Sequence, residues 1–131
     1  MLFRSYPLLS HATAALVTSG TAALETGLFR VPQVVCYYIP MGKLISFLRR
    51  HLLKVKYISL VNLVAGREVV PELVADGMTV NNLRQHLTSI LPSGTAREAQ
   101  IKGYEEMAEI LGEPGAPERA AQEMVERLKQ K

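Results

Sequence analysis

The stretch Ala14-Ala15-Leu16-Val17-Thr18-Ser19-Gly20-Thr21-Ala22-Ala23-Leu24-Glu25 runs apolar, breaks at small polar residues and resumes as a helix-forming run. Leu16 and Val17 suit the end of a buried strand. The run Ser19-Gly20-Thr21 allows a tight turn, with Ser19 or Thr21 capping the helix behind it. Such a turn aims backbone N–H groups, and the positive end of a helix dipole, at any anion lying beyond the strand. Glu25 stands one helical turn after Thr21, close enough to the mouth to accept hydrogen bonds from hydroxyl groups such as those of a ribose. A strand, a turn and a helix also occur as an ordinary connection, which is the competing interpretation. Downstream, Leu24, Leu28 and Val31 mark the apolar face of the helix, Pro32 stops it, and Gln33-Val34-Val35-Cys36-Tyr37-Tyr38 forms the next strand. This order predicts an α/β protein with a crevice at the carboxyl ends of its strands.

Two runs together resemble a known family. The residues Ser19-Gly20-Thr21-Ala22-Ala23-Leu24-Glu25, followed by Val31-Pro32-Gln33-Val34-Val35, are similar to the donor-nucleotide motif of GT-B glycosyltransferases. Further on, Tyr57-Ile58-Ser59-Leu60-Val61-Asn62-Leu63-Val64-Ala65-Gly66-Arg67-Glu68-Val69-Val70-Pro71-Glu72-Leu73 resembles the lipid-A-disaccharide synthases in particular. Its Ser-Leu-x-Asn-Leu-x-Ala-Gly-Arg-Glu pattern is the discriminating part. The likeness runs from Leu8 to Leu73 and gives way to a general helical pattern.

The resemblance implies the C-terminal portion of a GT-B Rossmann-like nucleotide-binding domain, a short parallel sheet followed by C-terminal helices. Residues 1–76 would be a partial donor-nucleotide-binding domain and 77–131 a helical segment. More strands and an entire N-terminal domain are then expected ahead of this chain. The implied reaction is inverting: 2,3-diacylglucosamine passes from UDP to the 6-hydroxyl of 2,3-diacylglucosamine 1-phosphate, forming a β-1,6 disaccharide of lipid A biosynthesis. Carried over, Ser19, Gly20 and Thr21 would meet phosphate oxygens, Glu25 the ribose hydroxyls and Asn62 the diphosphate or donor sugar. Arg67 matches the pattern as well, either binding phosphate through its planar fork or holding the loop. The catalytic base is expected in the N-terminal domain, so no catalytic residue is assigned in this chain and no cofactor is implied. The implied partners are the UDP-2,3-diacylglucosamine donor, the lipid-phosphate acceptor and the cytoplasmic face of the inner membrane. Two alternatives stay open: another UDP-sugar enzyme of the same fold, and a non-catalytic assembly module that pairs through its helices.

Composition sets broad bounds. A chain of 131 residues with 48% hydrophobic and 21% charged residues, and a mean hydropathy of +0.11, can bury a real core. No apolar stretch reaches the roughly 18 residues that span a bilayer, and the N-terminus lacks the basic start and long apolar core of a secretory signal. A net charge of +3 is mild and gives no basis for a nucleic-acid partner. The single cysteine, Cys36, falls in the second predicted strand and reads as a buried structural thiol. His11 and His86 are isolated from further ligands at metal spacing, so no metal is assigned.

Charge is concentrated between Pro40 and Tyr57. There Leu44, Phe47, Leu48, His51 and Leu52 share one helical face, and Lys43, Arg49, Arg50, Lys54 and Lys56 supply five basic charges with no acid among them. Such a helix can lie on an anionic membrane, where each basic residue contributes about 1 kcal/mol, or pack on a core with a solvated basic face. Pro7 suits the first turn of a helix, and Tyr57-Ile58-Ser59-Leu60 reads as an extended segment. From Thr79, a plausible cap, the chain reads as helices: one through Leu83, Leu87 and Ile90, another from Ser93 or Thr95 to Leu111, and a last one opened by Pro117. In GT-B proteins terminal helices commonly cross to the other domain; without it their apolar face is free for a second copy, giving a homodimer.

Overall fold

A computed structural model describes residues 2–18, 20–37 and 56–112. Helix α1 (Leu2–His11) leads into β1 (Ala15–Val17), α2 (Gly20–Leu28) and β2 (Gln33–Tyr37). After residues 38–55 come α3 (Leu60–Ala65), β3 (Glu72–Val74), a 3₁₀ turn at Ala75–Gly77, α4 (Val80–Ile90) and α5 (Arg97–Leu111).

The three strands form one parallel sheet in the order β1-β2-β3, with Val17 opposite Val35 and Val35 opposite Glu72. The chain is therefore α/β with a short open parallel sheet, as the strand-helix-strand pattern predicts. Val34 and Val35 are fully buried because β2 has a neighbour on each side and helices on both faces, the environment that selects continuous apolar runs. β1 has one neighbour among the described residues, and its Leu16 is 49% exposed.

Alternation along β2 separates two cores. On one face Val17, Ala23, Val35, Val61, Val69, Val70, Tyr104 and Met107 bring α2, α3 and α5 together; on the other, Val34, Cys36, Leu73 and Ile90 receive α4 through Leu83 and Leu87. Each large apolar side chain buried this way contributes about 1.5–3 kcal/mol. Burial also raises the Cys36 thiol above its ordinary pKa, in keeping with a structural thiol.

Several local expectations shift. Thr21 lies inside the first turn of α2 and does not cap it, since the helix already begins at Gly20. Leu28 is 52% exposed, and the buried face of α2 consists of Ala23, Thr26 and Gly27, small residues that let Tyr104 and Met107 of α5 approach. α2 ends at Leu28, before Val31 and Pro32, with Arg30 in the left-handed region. Pro7 sits in the interior of α1. Leu60 belongs to a helix, because the Ser59 hydroxyl caps α3 by accepting from the Asn62 N–H. The strand at Glu72–Val74 follows directly on Pro71. Thr79 caps α4 as expected, accepting from Asn82 N–H at 3.1 Å. α5, by contrast, starts from Ala96 with no side-chain cap.

Candidate functional site

In a parallel sheet every strand finishes at the same end, and the turn from β1 into α2 lies there. Gly20 opens α2, Thr21 is exposed in its first turn, and Glu25 is half-buried one turn further on. No acidic residue stands in that first turn, so the dipole's positive end carries no local counter-charge from it. Ser19 lies outside the described residues, as do Lys43, Arg49, Arg50 and Lys54.

The second motif has a different geometry. Asn62 is fully buried in the first turn of α3. Its Nδ2 donates to the Val70 carbonyl and to Glu72 Oε1, both at 2.8 Å, while Oδ1 accepts from Val69 N–H at 2.7 Å and Val70 N–H at 3.0 Å. Both amide hydrogens and both carbonyl lone pairs are thus used within the chain. Glu72 completes the arrangement: its carboxylate accepts from Ile58 N–H at 2.9 Å and Ser59 N–H at 2.8 Å, in addition to Asn62. An internal carboxylate therefore occupies the amino end of α3, where an external anion would otherwise be attracted.

Arg67 lies at the other end of the sheet. Gly66, left-handed at φ 67°, terminates α3, and Arg67 follows it in the connection that enters β3. Its guanidinium pairs with Glu106 of α5, which holds the Glu106 carboxyl below its ordinary pKa. Arg30, just past the end of α2, pairs with Glu105 at 3.6 Å. α5 is thus braced on the ends of two helices by adjacent acids. Gly103 makes that crossing possible, because a Cβ there would meet Val69 Cγ1 at 2.5 Å. The same end contains a buried polar cluster: Gln100 uses its amide to pair both the N–H and the C=O of Gln33, at 2.9 Å each, standing in for a neighbouring strand. Tyr104 donates to Gln100 at 2.9 Å, and burial keeps its phenol protonated far above the usual range.

The structure thus gathers Gly20, Thr21 and Glu25 on α2, places Asn62 in the interior, and puts Arg67 at the opposite end of the sheet. Sequence reasoning did not single out Glu72 or Tyr37. Glu72 carried little signal, because in the run Val69-Val70-Pro71-Glu72-Leu73-Val74 only Val74 is β-branched after the proline. For Tyr37 the available signal was the period of two shared with Gln33 and Val35.

Parallel strands joined by crossover helices, with a helix start and a half-buried carboxylate where the strands finish, define a partial Rossmann-like domain. The family model for lipid-A-disaccharide synthetase matches residues 3–125, and the chain belongs to that family. It is 40% identical over 125 residues to a lipid-A-disaccharide synthase of Myxococcus xanthus (strain DK1622), covering 95% of this chain and 32% of the relative. A lipid-A-disaccharide synthase of Prochlorococcus marinus (strain MIT 9313) is 37% identical over 124 residues, covering 93% and 31%. One of Synechocystis sp. (strain ATCC 27184 / PCC 6803 / Kazusa) is 35% identical over 120 residues, covering 90% and 30%. The chain therefore spans about a third of the length of these relatives.

Proposed function

We propose that this chain forms the donor-nucleotide side of a lipid-A-disaccharide synthase, a glycosyltransferase that moves 2,3-diacylglucosamine from UDP to 2,3-diacylglucosamine 1-phosphate. The observation that carries the proposal is the start of α2 at the strand-finishing end, with Glu25 one turn inside it, in a chain of this family. Backbone N–H groups at Gly20 and Thr21, with the Ser19 hydroxyl, suit the leaving diphosphate, which needs stabilisation as the glycosidic bond to UDP breaks. Glu25 suits the ribose hydroxyls. Asn62 serves that site indirectly, by fixing the start of α3 and the entry of β3, and Arg67 braces α5.

The acceptor hydroxyl also requires a base. The 131-residue chain by itself spans about a third of its relatives' length and is expected to bind UDP without making disaccharide. Among the described residues no helix is long and apolar enough to cross a membrane. Contact with the inner-membrane surface is assigned to Lys43, Arg49, Arg50 and Lys54, on the strength of their uninterrupted positive charge. Association of two copies is assigned to the C-terminal helices.

Calorimetric titration with UDP tests the central claim. Saturable binding that Glu25→Gln weakens about tenfold, equivalent to ~1.4 kcal/mol, supports it. An absence of UDP binding, or disaccharide synthesis by the purified chain alone, contradicts it.

A further inference from the structure

One polar side chain at the rim of the sheet belongs to neither motif. Tyr37 is the last residue of β2. Alternation puts it on the same face as Gln33 and Val35, and it packs against the cluster that contains Val17, Ala23, Val35 and Val61. It therefore stands on the side of the sheet covered by α2 and α3. Register fixes its height: Val17 is opposite Val35, so Tyr37 stands one strand repeat beyond the last residue of β1, at the end of the sheet from which α2 starts. On the other flank Val74 is opposite Tyr37, with Glu72 one strand repeat below on the same face. Its phenol is half-buried and has no hydrogen-bond partner among the described residues.

We propose that Tyr37 is a ligand-contacting residue of the nucleotide site, its hydroxyl donating a hydrogen bond to a phosphate oxygen of a nucleoside diphosphate held at the start of α2. The inference rests on the donor-site reading above. Two further features agree with it. Burial, and then the nearby Glu72 charge, raise the Tyr37 pKa above its ordinary 10, so the phenol remains a donor at neutral pH. The Glu72 charge itself is shared among three N–H donors, which limits its repulsion of an anion at the rim.

The test is calorimetric titration of the 131-residue chain and its Tyr37→Phe variant with UDP and, separately, with uridine. Tyr37→Phe retains the packed ring and removes only the hydroxyl. Its UDP affinity is expected to be about five- to tenfold weaker, with uridine affinity unchanged and the same melting temperature, the pattern of one lost hydrogen bond to a charged group. Equal UDP affinity in the two proteins overturns the inference. An equal loss for uridine overturns it too, because the contact would then be with the nucleoside. Should Tyr37→Phe fail to fold, ¹³Cζ-tyrosine labelling of the unmodified chain decides: UDP must shift the Tyr37 resonance, and an unmoved resonance overturns the proposal. A chain that does not bind UDP at all contradicts the donor-site reading itself. Binding that Glu25→Gln weakens and Tyr37→Phe leaves intact removes only the tyrosine.

Discussion

The two motifs that connect this chain to its family are put to opposite use. In the first motif Thr21 is exposed and Glu25 half-buried, on a helix that starts at Gly20 with no acid in its first turn. Around Asn62 and Glu72 the polar groups are directed inward: one carboxamide and one carboxylate tie α3, its following loop and β3 into a single unit. The difference teaches that a discriminating sequence pattern can be accounted for by hydrogen bonds within the chain. A buried amide with all its hydrogen bonds satisfied is as demanding of its identity as a ligand contact, because any replacement leaves several partners unpaired.

The sharpest way to break this comparison is Asn62→Ala. It strips partners from the N–H groups of Val69 and Val70, the Val70 carbonyl and Glu72, and is expected to cost about 3–5 kcal/mol in urea unfolding. A variant that unfolds like the parent while losing UDP affinity would return Asn62 to the ligand. Gly103→Ala examines the packing that holds α5 on the same unit. Overpacking against the stiff Val69 side chain should cost about 1–3 kcal/mol, partly offset by the higher helix propensity of alanine. The loss should be relieved in a Val69→Ala background, and equal losses in both backgrounds would place the strain elsewhere.

Glu25→Gln sharpens the other side. UDP affinity should fall about tenfold while stability changes by less than about 0.5 kcal/mol, as for a surface substitution. The opposite pattern would make Glu25 structural. Smallest is the effect of acid on the Arg67–Glu106 pair. Because the Glu106 pKa is lowered in the folded chain, chiefly by the hydrogen bond from Arg67, its contribution is complete above the ordinary value of 4.5 and disappears as pH falls through the lowered one. The exposed pair should therefore yield only a slight extra acid sensitivity, visible as a difference between parent and Glu106→Gln melting curves across that range and absent above it.

Much of the first motif's fold was legible in the chain. Leu16-Val17, the small-residue break and Val34-Val35 announce strand, turn and strand because local patterning and burial agree there. Thr79 is legible for the same reason, its hydroxyl making a contact with Asn82 only three residues away. β3 was not legible, since three residues carry too little period and become a strand only by pairing with Val35, Cys36 and Tyr37. Leu28 looked buried by helical spacing, yet α5 approaches α2 along its small residues and leaves Leu28 outside. For Arg67 the sequence left phosphate binding and holding the loop both open, because it shows the fork but not which end of the sheet it occupies or that Glu106 lies beside it.

By itself the sequence determined the α/β order, a helix following Leu16-Val17 and the family, since these depend on contacts and patterns within a few residues or on runs of matching identity. Only the tertiary structure decided that Asn62 and Glu72 bind each other, that Arg67 faces Glu106, and that Tyr37 shares a face with α2. Those outcomes follow from strand register and helix crossing, which bring together residues distant in the chain and carry no local signal.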